Sequence, residues 1–190
     1  MTTLEKIYDI QNRFEIGIDE AGRGPLFGRL YVAATVLPKS DDFKHENMKD
    51  SKKFYSKKKI KATSDYIKEH ALAWSIQYIE HDVIDSINIR QAVFKGMHRA
   101  VEEIMKTLNS KDMFLLVDGN DFKPYVYFHE EKEELITIPH TTIEGGDNKY
   151  TPIAAASILA KVARDEYIEN LCLKFPTTPV EVNGNDEDLE

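Results

Sequence analysis

The 190-residue chain has one cysteine, Cys172, and one tryptophan, Trp74. A lone cysteine excludes an internal disulfide, and its place in the amphipathic stretch Tyr167-Ile168-Glu169-Asn170-Leu171-Cys172 reads as a small core residue rather than a nucleophile. No apolar run approaches the ~20 residues of a membrane span. The polar start Met1-Thr2-Thr3-Leu4-Glu5-Lys6 has neither the charged n-region nor the apolar h-region of a signal peptide. These absences predict a soluble, cytoplasmic protein. There is no Gly-Lys-Ser/Thr phosphate loop, and Gly22-Arg23-Gly24 lacks the third spaced glycine of a dinucleotide fingerprint and runs into a strand. Internal repeats and proline-rich linkers are missing too, so a single domain is expected at this length, with 42% apolar residues to fill its core.

Positive charge is also in the minority: 25 Lys and Arg against 33 Asp and Glu, a formal charge of −8. That balance argues against a nucleic-acid partner only if it is evenly spread. It is not. From Lys44 to Lys61 eight lysines face only Glu46 and Asp50, while Glu181 to Glu190 is acidic and almost free of apolar residues. The first segment is either a solvated helix face or, because the loop Asp50-Ser51-Lys52-Lys53 precedes the helix, a phosphate-contacting surface. The second reads as a disordered tail over 176–190, leaving 1–175 as the folded domain.

Apolar patterning predicts strands over Phe14 to Asp19 and Leu30 to Leu37, paired as a hairpin. A lysine-rich helix over Ser56 to His70 and a third strand over Ala71 to Ile79, with Trp74 as core anchor, follow. Ile89, Val93, Met97, Val101, Ile104 and Leu108 recur every three or four residues, the stripe of a helix packed on a sheet. Asp112 to Gly119 is a short apolar run ended by Asp118-Gly119, as in a fully buried central strand with a carboxylate at its C-terminal edge. A charged hairpin at His129 to Glu134 precedes a strand over Leu135 to Pro139. Thr151 is the expected N-cap, and Pro152 the first residue, of a helix over Ile153 to Leu173. The order implies a mixed α/β layer protein.

Asp19-Glu20, Asp118 and Asp147 each stand at a loop edge that a sheet could bring together. Adjacent Asp and Glu point to opposite faces of a regular strand, so a site using both needs a break in the pleating, which Gly22 and Gly24 permit. Singly, each acid has a plainer reading: a hairpin turn for Asp19-Glu20, an Asp-Gly turn for Asp118, a charge near a helix N-terminus for Asp147. Together, four hard oxygen donors without a matching His/Cys set favour Mg²⁺ or Mn²⁺ over zinc. Two such ions ~3.5–4 Å apart can clamp a phosphodiester, one activating water and the other stabilising the leaving oxygen.

In five ordered segments the chain resembles ribonuclease HII, the type 2 ribonuclease H family. These are Gly17-Ile18-Asp19-Glu20-Ala21-Gly22-Arg23-Gly24-Pro25-Leu26, Asp50-Ser51-Lys52-Lys53, Ile87-Asn88-Ile89 with Gln91-Ala92, Val117-Asp118-Gly119-Asn120, and Gly146-Asp147 with Lys149 and Ile153 to Asp165. The resemblance implies a ribonuclease H-like fold, a central mixed β-sheet flanked by helices. It implies endonucleolytic cleavage of the RNA strand of RNA/DNA hybrids, or of DNA containing ribonucleotides, leaving 5′-phosphate and 3′-hydroxyl ends. By position it makes Asp19, Glu20, Asp118 and Asp147 catalytic ligands of two Mg²⁺ or Mn²⁺ ions in a monomer. Gly22, Arg23 and Gly24 would read the 2′-hydroxyl and its phosphate, Ser51, Lys52, Lys53 and Lys149 would hold backbone phosphates, and Asn88 would sit beside the groove. The family continues to a tyrosine that stacks at RNA-to-DNA junctions, where this chain has Thr178 and then an acidic run. Weak discrimination for a lone ribonucleotide is therefore expected. The rival readings are a catalytically impaired hybrid-binding protein and another nuclease of the same superfold, such as a resolvase.

Overall fold

The computed structural model describes residues 3–25 and 27–175; Leu26, Thr178 and the rest of the acidic segment expected over 176–190 lie outside the described residues. In chain order the elements are β1 (Phe14–Ala21), β2 (Leu30–Val36), α1 (Lys57–His70), β3 (Ala73–Ile79), α2 (His81–Ile87) and α3 (Ile89–Leu108). They continue with β4 (Met113–Asp118), β5 (Val126–His129), β6 (Glu134–Thr137), β7 (His140–Ile143) and α4 (Thr151–Lys174). Short 3-10 turns at Ser51–Lys53 and Gly146–Asn148 flank α1 and α4. Among the described residues no helix is long and apolar enough to cross a membrane.

The main sheet runs β3-β2-β1-β4-β7, and β5 and β6 form a separate hairpin. β1 to β3 are an antiparallel meander, whereas β4 is parallel to β1 and β7 to β4. This is the mixed sheet that the sequence predicts, and its parallel part puts the C-terminal ends of β1, β4 and β7 on one edge. Side chains alternate across it. Ile16, Ile18, Leu30, Val32, Leu115 and Val117 meet the stripe Val93, Met97, Val101 and Ile104 of α3 on one face. Ala33, Leu37, Ala155, Ile158 and Leu159 fill the other face, beneath α4 and α1.

α4 starts deep inside the molecule: Thr151 to Ala160 are all buried, on every side of the helix. A helix apolar all round belongs in a core, and its small residues bring it down onto β1. Its closest approach is at Gly17, where an added Cβ would lie 2.1 Å from the Pro152 carbonyl carbon. The Pro152 oxygen left in this dry interface accepts a hydrogen bond of 2.8 Å from the Thr35 hydroxyl.

Four local expectations fail for identifiable reasons. Trp74 is not a core anchor but 38% exposed, because β3 is an edge strand; its Nε1 donates to the Lys68 oxygen at 3.0 Å. Cys172 is exposed, since α4 has emerged from the core by its last turns. The strand expected over Leu135 to Pro139 stops at Thr137 and closes the outer hairpin, and a separate strand, His140–Ile143, joins the main sheet. Tyr150, not Thr151, is the N-cap of α4, and the Thr151 hydroxyl bonds His45 Nδ1 at 2.9 Å.

Candidate active site

Three of the sequence-predicted acids lie where the parallel strands end. The β1–β4 register pairs Ile18 with Val117, so the next residues, Asp19 and Asp118, are lateral neighbours at the ends of the two strands. Asp118 Oδ1 accepts a hydrogen bond of 2.7 Å from the Gly146 amide, which ties the end of β4 to the turn that carries Asp147. The chain start braces the same turn, for Glu5 N donates to Lys149 O at 2.8 Å and Thr151 N to Glu5 O at 2.9 Å.

Glu20 is placed differently. The pleating expected to break after Asp19 continues, with Glu20 opposite Val32 and Ala21 opposite Tyr31, so Glu20 turns to the α3 side. There it faces Arg23 at 3.6 Å in a narrow cleft of about 20 Å³, lined also by Arg90, Asp118 and Asp121. Among the described residues no three His, Cys, Asp or Glu side chains are grouped as a metal ion would group them. Glu20 lies against Arg23 and Asp118 accepts from the Gly146 amide, so in this arrangement the carboxylates do not converge on one point.

The electrostatics express crowding. Burial first, then repulsion from Asp118 and Glu20, raises the Asp19 carboxyl well above the ordinary range, although the Ser157 hydroxyl and the Glu20 amide, at 2.7 Å, oppose the shift. Burial also raises Glu20, against the pull of Arg23 and with the push of Asp118. Asp147 is raised by burial, then by Asp50 and Asp118, while Asn148 and Lys52 counteract. Carboxylates gathered with too few cations are relieved by a divalent ion, and an all-oxygen donor set suits Mg²⁺ or Mn²⁺. The chemistry of the residues therefore fits a metal site.

The residues assigned to nucleic acid divide into two groups. Arg23, Gly24, Lys52, Lys53, Asn88 and Lys149 are exposed. Gly22 has φ +101°, and a Cβ there would stand 2.8 Å from the Arg29 oxygen, so the fold itself demands glycine. Nothing lies within 4 Å of a Cβ built on Gly24. Ser51, by contrast, is buried, and its hydroxyl lies 3.0 Å from that of Ser157 beneath the acids. It braces α4 rather than facing solvent. The Asn88 oxygen accepts from Gln91 N at 3.1 Å as the N-cap of α3, and the structure records no contact between it and the acids.

Four residues near the site escape the sequence reading. Asp50 caps the Ser51–Lys53 turn through Lys52 N at 2.9 Å, and Asn148 Nδ2 bridges its Oδ2 at 3.3 Å to Asp147 Oδ1 at 3.0 Å. Arg90 holds Asp121 with two bonds of 2.5 and 3.0 Å beside Glu20 and Asp118. The Asp50-Ser51-Lys52-Lys53 loop was a signal for its lysines; nothing in it pointed to the aspartate.

Comparison with known proteins gives this geometry a lineage. The family model described as Ribonuclease HII matches residues 16–182. A protein of that name from Parabacteroides distasonis is 45% identical over 164 residues, covering 86% of this chain and 74% of the relative. The chain belongs to the ribonuclease HII family. The Cytophaga hutchinsonii ribonuclease HII is 39% identical over 92% of this chain and 78% of its own length. Among solved structures, a chain of the PCNA:RNase HII complex from Archaeoglobus fulgidus superposes with a TM-score of 0.64 at 27% identity, covering 86% of this chain and 77% of that one. Bst-RNase HIII in complex with Mn²⁺ shares the fold, with a TM-score of 0.68 at 18% identity over 86% of this chain and 55% of that one. As a ribonuclease HII family member the chain is a ribonuclease H, a metal-dependent endonuclease of RNA/DNA hybrids.

Proposed function

We propose that this chain cuts the RNA strand of hybrids at the sheet edge formed by Asp19, Glu20, Asp118 and Asp147, leaving 5′-phosphate and 3′-hydroxyl ends. The observation that carries the assignment is the junction of β1, β4 and the Gly146–Asn148 turn: strand register sets Asp19 beside Asp118, and the Asp118–Gly146 bond holds the turn of Asp147 against Asp118. All four acids come from one chain, so a monomer suffices. They would hold two Mg²⁺ or Mn²⁺ ions, which when bound supply Lewis-acid stabilisation of the phosphodiester and a lowered pKa for the attacking water.

The chain's own residues bind and orient. Arg23 carries a positive charge at the mouth of the acidic cleft, where it can meet a phosphate next to the scissile one. The open space at Gly24 lets a ribose approach the backbone, the approach that reading a 2′-hydroxyl requires. Lys52, Lys53 and Lys149 surround Asp147 with exposed ammonium groups that neutralise flanking phosphates without regard to sequence. Buried Ser51 and Ser157 keep Asp19 oriented from below.

A labelled duplex holding a four-ribonucleotide tract or a single ribonucleotide tests the reading. Cleavage with Mg²⁺ or Mn²⁺, abolished by chelator, is expected, with the tract the better substrate. Binding without cleavage under every metal condition would support the impaired hybrid-binding alternative instead.

A further inference from the structure

Beyond the acids the basic charge continues into a second feature. Of the eight lysines between Lys44 and Lys61, only Lys57 and Lys61 are paired with carboxylates among the described residues, Lys57 with Glu169 and Lys61 with Asp65 and Glu166. Three of the others, Lys44, Lys49 and Lys59, line a shallow groove of about 450 Å³ together with Phe54 and Tyr66; Glu46 is its one acid. The groove adjoins the site along the chain. Lys49 and Phe54 directly flank the Asp50–Lys53 segment, and that segment is held to the Asp147 turn through Asn148, which bonds Asp50 on one side and the Lys53 ammonium on the other.

The two aromatic rings are not free to stack on bases. The Lys49 ammonium lies 4.4 Å from the Phe54 ring centre and that of Lys44 5.7 Å from Tyr66. Tyr66 also stacks on His70 at 4.2 Å, and its hydroxyl accepts from Lys44 N at 2.9 Å. The rings thus act as struts that hold ammonium groups over the groove. Unpaired, pre-positioned cations in a molecule of net charge −8 mark a polyanion site. With both rings of the groove holding ammonium groups, the occupant that these cations fit is the sugar-phosphate backbone of a duplex bound at the neighbouring acids.

We propose that the Lys44–Lys49–Lys59 groove is a remote phosphate subsite that grips the duplex on one side of the cleavage point. The inference rests on the reading of the acidic edge as the site of hybrid cleavage. Its test is fluorescence anisotropy in chelator, with a minimal hybrid and with two versions extended by ten base pairs, one on each side. The Lys44→Gln/Lys49→Gln/Lys59→Gln variant is compared with wild type and with the corresponding triple Lys→Arg variant.

One of the two extensions should tighten wild-type binding, and the Gln variant should lose roughly tenfold or more of that gain, with a salt slope smaller by about 2 to 3. The Arg variant should keep both, which separates charge from folding. Binding of the minimal hybrid should be the same in all three proteins. Equal losses on both extensions, or none, would overturn the proposal. Absence of metal-dependent cleavage by the wild-type protein would strike the parent reading instead, while the anisotropy still decides the groove.

Discussion

Asp118 and Gly146 are joined by a 2.7 Å hydrogen bond from the glycine amide to Oδ1 of the acid, a side-chain link that acts with the β4–β7 pairing to position the turn bearing Asp147. The bond needs an oxygen acceptor, not a charge. Asp118→Asn keeps that oxygen, so the turn should stay in place while a ligand charge disappears. Metal-dependent cleavage should fall by ~10²-fold or more with circular dichroism unchanged and the melting temperature not lowered, since the charge removed is one that repels Asp19, Glu20 and Asp147. Near-full activity would make Asp118 a turn residue.

Asp19 supplies the opposite signature. Its carboxyl is raised by burial and by its acidic neighbours, so at neutral pH the folded state holds a charge that the unfolded state carries more easily. Asn can still accept from the Glu20 amide and the Ser157 hydroxyl. Asp19→Asn should therefore abolish cleavage yet stabilise the metal-free protein, by ~1 kcal/mol or more, equivalent to ~2–4 °C in Tm for a chain of this size. Mn²⁺ should raise the wild-type Tm and leave that of the variant nearly unmoved. A lower Tm in Asp19→Asn would show that hydrogen bonding, not repulsion, governs this position.

How much of this was legible in the sequence depends on what each residue signals locally. β1, β2, β4 and α3 were readable because long apolar runs or a 3–4 spacing are imposed by burial on a sheet, and acids at the ends of such runs stand out as anomalies. β7 was not, since His140-Thr141-Thr142-Ile143 has neither alternation nor a continuous apolar run; it belongs to the sheet only through pairing with β4. Trp74 was misjudged because a residue's bulk says nothing about whether its strand is central or at an edge. At the site, Glu20 obeyed the pleat that glycine could have broken. Asp50 and the Arg90–Asp121 pair arrive there through contacts spanning 98 and 31 residues, which no local pattern encodes.

The contact of β1 with α4 gives a stability prediction. A Cβ at Gly17 would overlap the Pro152–Ile153 peptide at 2.1–2.4 Å, and the obstacle is backbone, which has no rotamer to escape into. Gly17→Ala should displace the start of α4, break the Thr35–Pro152 bond and cost ~3 kcal/mol or more. The urea midpoint measures it. A loss below ~1 kcal/mol would mean that α4 can lift from the sheet with little penalty.

Neutralising Lys52 and Lys53 together addresses the phosphate assignment. Both are exposed beside Asp147, and Lys53 also donates to Asn148. Binding of all hybrid sequences should weaken alike, with a salt slope smaller by about 1 to 2, one counterion for each lost contact. An unchanged slope would return these lysines to the status of solvated surface.

His45 sets a pH limit on the fold around the site. Its ring is buried between the Thr151 hydroxyl and the Pro38 oxygen, each 2.9 Å away, and burial lowers its pKa despite the bond to Pro38. The folded state thus prefers the neutral ring, while the unfolded chain takes up a proton near pH ~6.5. Stability from His45 is complete above that value and is lost as the pH falls below it, at up to ~1.4 kcal/mol per unit, until the lowered folded pKa is reached. Asp19 works in the other direction: its raised carboxyl gains a proton more readily folded than unfolded, so acid stabilises the protein through that group. The net wild-type curve mixes the two, and the comparison that isolates the imidazole is His45→Gln, whose amide can bond the same partners without titrating. Wild type should lose Tm relative to this variant between pH 7.5 and 5.0, with the gap opening below pH ~6.5. Parallel Tm curves for the two proteins across that range would show that His45 titrates as it does in the unfolded chain.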